Sequence, residues 1–145
     1  MPCLKGFRGC LCTGEQARCA AAHVVLSERT AALLAAAVLI AVADCVARTV
    51  RTEDVPARIG GEEIVVLMPD CDPAGALDVA QRLREAVAPV EVGALRGPVR
   101  VTVSIGAATH HRGERPETLL SDADARLYGA KDGGRNRVVG PLRAA

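Results

Sequence analysis

Residues Arg51 to Asp70 read RTEDVPARIGGEEIVVLMPD. Val55 to Ile59 is a short apolar run, Gly60-Gly61 interrupts it, and Ile64 to Met68 is a second run. Two such strands about a Gly-Gly turn make a β-hairpin. The glycines allow the hairpin backbone to approach a bulky ligand and to turn its N–H groups toward phosphate. Glu62 and Glu63 follow at once. Two carboxylates at a turn, beside exposed amides, suit a hard divalent cation held partly by a substrate phosphate. A plain hairpin with two solvated acids fits the same residues, and the segment alone leaves both readings open.

The flanking sequence predicts helices alternating with strands. Upstream, Leu39, Val42, Ala43, Val46 and Val50 fall at helical spacing. Downstream, Asp72-Pro73 starts a helix, with Asp as N-cap and Pro at the first helical position. Ala76, Ala80, Leu83 and Val87 give that helix a buried stripe, and Pro89 stops it. Val99 to Ser104 alternates as a strand does, and Ile105-Gly106-Ala107 extends it. Glu117 to Lys131 is a further helix with Leu120, Ala123, Leu127 and Ala130 inward, ended by Gly133-Gly134. Arg137 to Val139 is a short last strand. This order indicates an α/β fold, an α+β sandwich with a mixed sheet flanked by helices. The hairpin is expected beside the strand at 99–105.

At 145 residues the chain suits one domain. With 18 basic and 17 acidic residues its net charge is +1, which leaves no electrostatic footprint for duplex nucleic acid. Phe7 and Tyr128 are the only aromatics, so a stacking platform for single strands is excluded and the core must be built of Val, Leu, Ile and Ala. The run Thr30 to Ala43 is almost wholly apolar but 14 residues long. A spanning helix needs about 20, so a buried amphipathic helix is the reading here, against a membrane anchor. Cys45 and Cys71 stand alone downstream, with no cysteine framework, which indicates a reducing, cytoplasmic setting.

Several of these stretches together resemble one family. GGEEI resembles the GGDEF/GGEEF signature of diguanylate cyclases. VRVTVSIGAA is similar to the family's "vTvSiGva" strand, and LLSDADARLYGAKDGGRNRV to its terminal helix and strand. VLIAVADCVARTVRTEDVPAR is similar to the helix leading into the signature. The resemblance covers roughly residues 38 to 140 in order and spacing. It implies a nucleotide-cyclase-like sheet that binds GTP with Mg²⁺ or Mn²⁺. It also implies an antiparallel homodimer in which each 3′-hydroxyl attacks the other nucleotide's α-phosphate, giving cyclic di-GMP. By the same resemblance Gly60 and Gly61 lie against the nucleotide. Glu62 binds metal and helps deprotonate the 3′-hydroxyl, and Glu63 is the second acid of that centre. Lys131 and Arg135 reach the terminal phosphates, although both also read as ordinary helix-end cations. Arg51-Thr52-Glu53-Asp54 matches the family's RxxD inhibitory site for cyclic di-GMP, with Arg82 as its supporting arginine. The arginine fork grips phosphate and guanine edges, and Asp accepts from guanine.

Two departures stand out. The signature ends in Ile64 where the family has Phe, which changes packing more than chemistry. Residues 1–38 show neither the family's strand with a metal-binding Asp nor its stretch of guanine-reading Asn and Asp. No Asn precedes Asn136, and Asp44 is the only Asp before Asp54. Residues 39–140 therefore read as a partial GGDEF domain whose N-terminal portion is missing or replaced. Residues 1–38 are unassigned and 141–145 are a tail. Residues 1–29 are expected to be irregular. A shifted reading frame or a gene truncation produces such a junction. Cys3, Cys10, Cys12 and Cys19, near His23, supply enough ligands for zinc, but without the paired knuckle spacing.

Overall fold

The computed structural model describes residues 19–26, 32–94 and 97–141. The elements in chain order are β1 (Cys19–Leu26), α1 (Ala32–Thr49), β2 (Val55–Arg58), β3 (Glu63–Pro69), α2 (Pro73–Val87), β4 (Glu91–Val92), β5 (Val99–Arg100), β6 (Val103–Thr109), α3 (Pro116–Asp132) and β7 (Val138–Val139). Five strands form one sheet in the order β2-β3-β1-β6-β7. All its pairings are antiparallel except β6 with β7. The expected mixed sheet with flanking helices is what the chain builds.

Two expectations fail at the centre of the sheet. Residues 19–26, read as irregular, form the middle strand, hydrogen-bonded to β3 on one side and β6 on the other. The hairpin is consequently not beside β6, because β1 lies between them. The physical reason lies in burial. Seven of the eight β1 residues are buried, on both faces of the sheet. A strand covered on both faces carries no polar alternation by which it could be recognised.

The stretch after Val99 also divides. Val99 and Arg100 pair with Glu91 and Val92 in a separate two-stranded ribbon, where Arg100 forms an ion pair with Glu91. Only Val103–Thr109 joins the main sheet.

The two faces bury different partners. Ala20, Ala22 and Val24 of β1 join Val42 and Val46 of α1 and Ala76, Ala80, Leu83 and Val87 of α2 in the larger core. Ala21 joins Ala108 and the α3 residues Leu119 and Ala123 in a smaller one. α3 sits very close to β6. A Cβ at Gly106 would collide with the Ala123 carbonyl oxygen and the Leu127 backbone nitrogen. Tyr128 is exposed, so the described core is aliphatic, as the composition requires.

Local chemistry sets the helix starts. Asp72 accepts from the Gly75 N–H at 2.7 Å, with Pro73 in the first turn of α2. α3 has Arg115 at its N-cap without a side-chain bond. It starts on Pro116 and carries Glu117 in the first turn, where a carboxylate suits the helix dipole. α1 includes most of the run 30–43, and among its described side chains Val38, Val42, Cys45 and Val46 are buried. Among the described residues no helix is long and apolar enough to cross a membrane.

Candidate functional site

The signature hairpin forms with the Arg58–Ile64 pair as its last register step, and the Ile59 N–H donates to the Glu63 carbonyl at 3.0 Å. Arg58 folds back over the turn. Its Nε donates to the Gly60 carbonyl at 3.1 Å, and its Nη2 to the Gly61 carbonyl at 2.9 Å. Neither glycine has a positive φ, so the turn does not need them for left-handed backbone. They differ in surroundings. A Cβ at Gly60 would lie 2.5 Å from Glu63 Oε2, whereas one at Gly61 meets nothing within 4 Å. Gly60 thus makes room for Glu63, and Gly61 leaves open surface beside the acids. Ile64 is buried in the larger core, the packing role expected of it.

The two acids occupy different environments. Glu62 is exposed at the turn. Glu63 begins β3 and points toward the α3 face, where its Oε1 lies 3.7 Å from Nε2 of His23. His23 sits in the middle of β1, opposite Val65 and Gly106, and is 5% exposed. Its Nδ1 lies 3.4 Å from Oδ1 of Asp124 on α3. Burial lowers the His23 pKa. Glu63 and Asp124 pull it up, and Lys131 pushes it down. Lys131, in the last turn of α3, therefore acts on the same centre as Glu63. His23 Nε2 is buried without a hydrogen-bond partner. A buried polar group left unpaired costs about 1–3 kcal/mol.

Arg135 stands exposed just past α3, with φ of 61° and its N–H donating to the Ala130 carbonyl at 3.0 Å. Gly134, Arg135 and Asn136 are all left-handed in succession, and this turns the chain from α3 into β7. The Arg137 guanidinium lies against Gly133 and Gly134, where a side chain would meet it. The structure thus brings Glu63, His23 and Asp124 to one face, within the field of Lys131, with the exposed Glu62 and Arg135 carried on turns. Sequence reasoning missed Asp124 and placed His23 only beside the cysteines of the zinc alternative. The available signal for His23 was a lone imidazole inside an Ala-Val run.

The RxxD residues gather at the far end of α1. Asp54 is buried, and its Oδ2 accepts from the Arg51 backbone N–H at 2.8 Å. Arg51 itself is exposed. Arg82 reaches from α2 to donate to the Thr49 carbonyl at 2.6 Å. Buried Cys71 lies against the same turn, and burial raises its thiol pKa. Arg51 opposes that shift, and Asp54 and Asp72 add to it.

Among the described residues no three His, Cys, Asp or Glu side chains converge on one metal position. Glu63 with the unpaired His23 nitrogen, and the open surface at Gly61, still fit a cation that takes its other ligands from water or phosphate. Cys3, Cys10 and Cys12 lie outside the described residues, and Cys19 is disulfide-bonded.

Comparison with known proteins agrees with this fold. The family model for the diguanylate cyclase GGDEF domain matches residues 33–137. The chain belongs to the GGDEF domain family. It is 50% identical over 97 residues to response regulator PleD of Caulobacter vibrioides, covering 65% of this chain and 21% of that protein. It is 41% identical over 102 residues to diguanylate cyclase DgcM of Escherichia coli, covering 70% of this chain and 24% of that one. The chain thus spans under a quarter of the length of these relatives. Its fold superimposes on the GGDEF domain of DgcB from Caulobacter crescentus, solved in complex with c-di-GMP. That match has a TM-score of 0.78 and 25% identity, and covers 85% of this chain and 77% of that one. The GGDEF domain of PA1120 from Pseudomonas aeruginosa matches with a TM-score of 0.79 and 25% identity, covering 89% and 86%.

Proposed function

We propose that the chain is a diguanylate cyclase-type domain of cyclic di-GMP signalling, acting in the cytoplasm on GTP as a homodimer. The observation that carries this is the match of the diguanylate cyclase GGDEF family model over residues 33–137, together with a signature hairpin whose turn is open at Gly61 beside Glu62 and Glu63. Glu62 and Glu63 would hold a Mg²⁺ or Mn²⁺ ion, which would supply positive charge against the reacting phosphate. Gly60 and Gly61 let the nucleotide lie against the turn. Lys131 and Arg135 bind its outer phosphates, and Glu62 takes the proton of the 3′-hydroxyl. The guanine-reading Asn and Asp and the metal-binding Asp implied by the family resemblance have no counterpart in residues 1–38. Turnover by this chain is therefore low. Incubating the purified chain with GTP and Mg²⁺ tests the reading. Slow cyclic di-GMP formation, lost in Glu62→Ala, supports it. Formation that persists in Glu62→Ala overturns it.

A second reading makes the chain a binding module for cyclic di-GMP without turnover. It is favoured by the preformed turn, in which Asp54 already holds the Arg51 backbone and Arg82 already reaches Thr49. Binding that survives Glu62→Ala and collapses in Arg51→Ala, in a chain that converts no GTP, selects this reading.

A further inference from the structure

We infer that His23 is a metal ligand. Its Nε2 and the Glu63 carboxylate form an imidazole–carboxylate pair for one Mn²⁺ or Zn²⁺ ion, with Asp124 holding the ring from behind. The inference rests on the reading of Glu63 as an acid of the metal centre.

The argument begins with the proton inventory of the ring. A neutral imidazole carries one N–H, and its other nitrogen is a lone pair. Asp124 stands 3.4 Å from Nδ1, so the N–H belongs there. That leaves the Nε2 lone pair facing the Glu63 carboxylate at 3.7 Å, buried and without a partner. A buried lone pair facing a half-exposed carboxylate is an arrangement that a cation placed between them satisfies. Metal bonds from an imidazole nitrogen and a carboxylate oxygen are each about 2.0–2.2 Å long, so one ion can bridge a gap of this size.

The surroundings fit such an ion. Ligating histidines usually give their second nitrogen to a carboxylate, which fixes the tautomer and strengthens the ligand. Asp124 occupies that place. The ion has a way in, because the Glu63 side chain is 41% exposed and the turn at Gly61 is open. Two protein ligands leave positions for water or phosphate oxygens. The imidazole nitrogen suits Zn²⁺, while the carboxylate and the water or phosphate oxygens suit Mn²⁺.

The test uses Mn²⁺ and the full chain with no nucleotide, so it reads metal binding independently of GTP turnover. Pulsed electron paramagnetic resonance of bound Mn²⁺ should show coupling to a directly bonded ¹⁴N nucleus. His23→Leu should abolish that coupling, and His23→Leu and Asp124→Asn should each weaken Mn²⁺ binding by roughly 10- to 100-fold. Circular dichroism melts confirm that the variants fold. If His23→Leu does not fold, Asp124→Asn, whose side chain is largely exposed, decides by the same titration. Bound Mn²⁺ without nitrogen coupling, unchanged affinity in the folded variant, or no Mn²⁺ binding by the wild-type chain overturns the inference. A chain that forms cyclic di-GMP but shows no coupling refutes the His23 ligand and leaves the cyclase reading standing. Coupling in a chain that never converts GTP does the reverse.

Discussion

Arg82 on α2 donates its Nη2 to the Thr49 carbonyl at 2.6 Å, tying the second helix to the C-terminal end of the first. Thr49 lies two residues before Arg51, so the same arginine steadies the turn that carries RxxD. Arg51 and Arg82 should therefore behave differently when removed. If the RxxD turn binds cyclic di-GMP as proposed, Arg51→Ala should cost about 1.5–3 kcal/mol of that binding, roughly 10- to 150-fold, with the melting temperature unchanged. Arg82→Ala should weaken binding and also lower the melting temperature. Calorimetric titrations and thermal melts on the same protein batches check both. An early-melting Arg51→Ala would make the turn structural instead.

Two glycines give a matched pair. Gly106→Ala forces a Cβ against the backbone of α3, which can relieve it only by moving the helix off the sheet. Such overpacking costs typically 1–3 kcal/mol, and here the obstacle is backbone, so about 3 kcal/mol or more is expected. Gly61→Ala meets open space and should leave stability within about 0.5 kcal/mol. Urea unfolding midpoints separate the two. If Gly61 lies against nucleotide as proposed, its substitution should weaken GTP binding without moving the midpoint.

Asp72 accepts from the Gly75 N–H, one of the backbone donors left open at the start of α2. Asp72→Ala should lower stability by about 1 kcal/mol, whereas Asp72→Asn or Asp72→Ser should preserve most of it. A urea series on the three variants measures this. Equal losses in all three would place the role of Asp72 in its charge.

This cap was legible because Asp-Pro is a local signal, as was the hairpin because Gly-Gly divides two apolar runs. β1 was not legible. Cys19 to Leu26 holds three consecutive alanines and no alternation, because strands on both sides and helix layers on both faces cover it. The division of 99–109 was equally hidden. The alternation of VRVTVS continues across Val101 and Thr102, where the chain leaves one sheet for the other. Of the candidate site, the residues on the hairpin and at the end of α3 were named through the family resemblance, since spacing alone left them as a plain hairpin and helix-end cations. His23 and Asp124 were not, since their meeting depends on which face of an unrecognised strand packs on α3.

Cys71 supplies a pH dependence. Burial raises its thiol above the ordinary value of 9.0, so the folded chain keeps a proton that the unfolded chain releases. This contribution to stability is full below the ordinary value and is lost as pH rises through the folded one. Thermal melts should decline more steeply above about pH 9 in the wild-type chain than in Cys71→Val. At pH 8, iodoacetamide should label Cys71 slowly until denaturant is added. Rapid labelling of the native chain would contradict its burial.

Because β1 precedes every other described element, it leaves the ribosome long before the strands that flank it. β3 ends at Pro69 and β6 at Thr109, so one edge of an apolar strand stays open until most of the chain has been made. An unpaired apolar edge is a template for association with other chains. Nascent chains that stall before residue 103 should therefore accumulate as aggregates, while chains extended past Thr109 close the sheet upon themselves. The burden on chaperones falls during synthesis, and pairing between the first and last thirds of the chain makes folding slow for a domain this small.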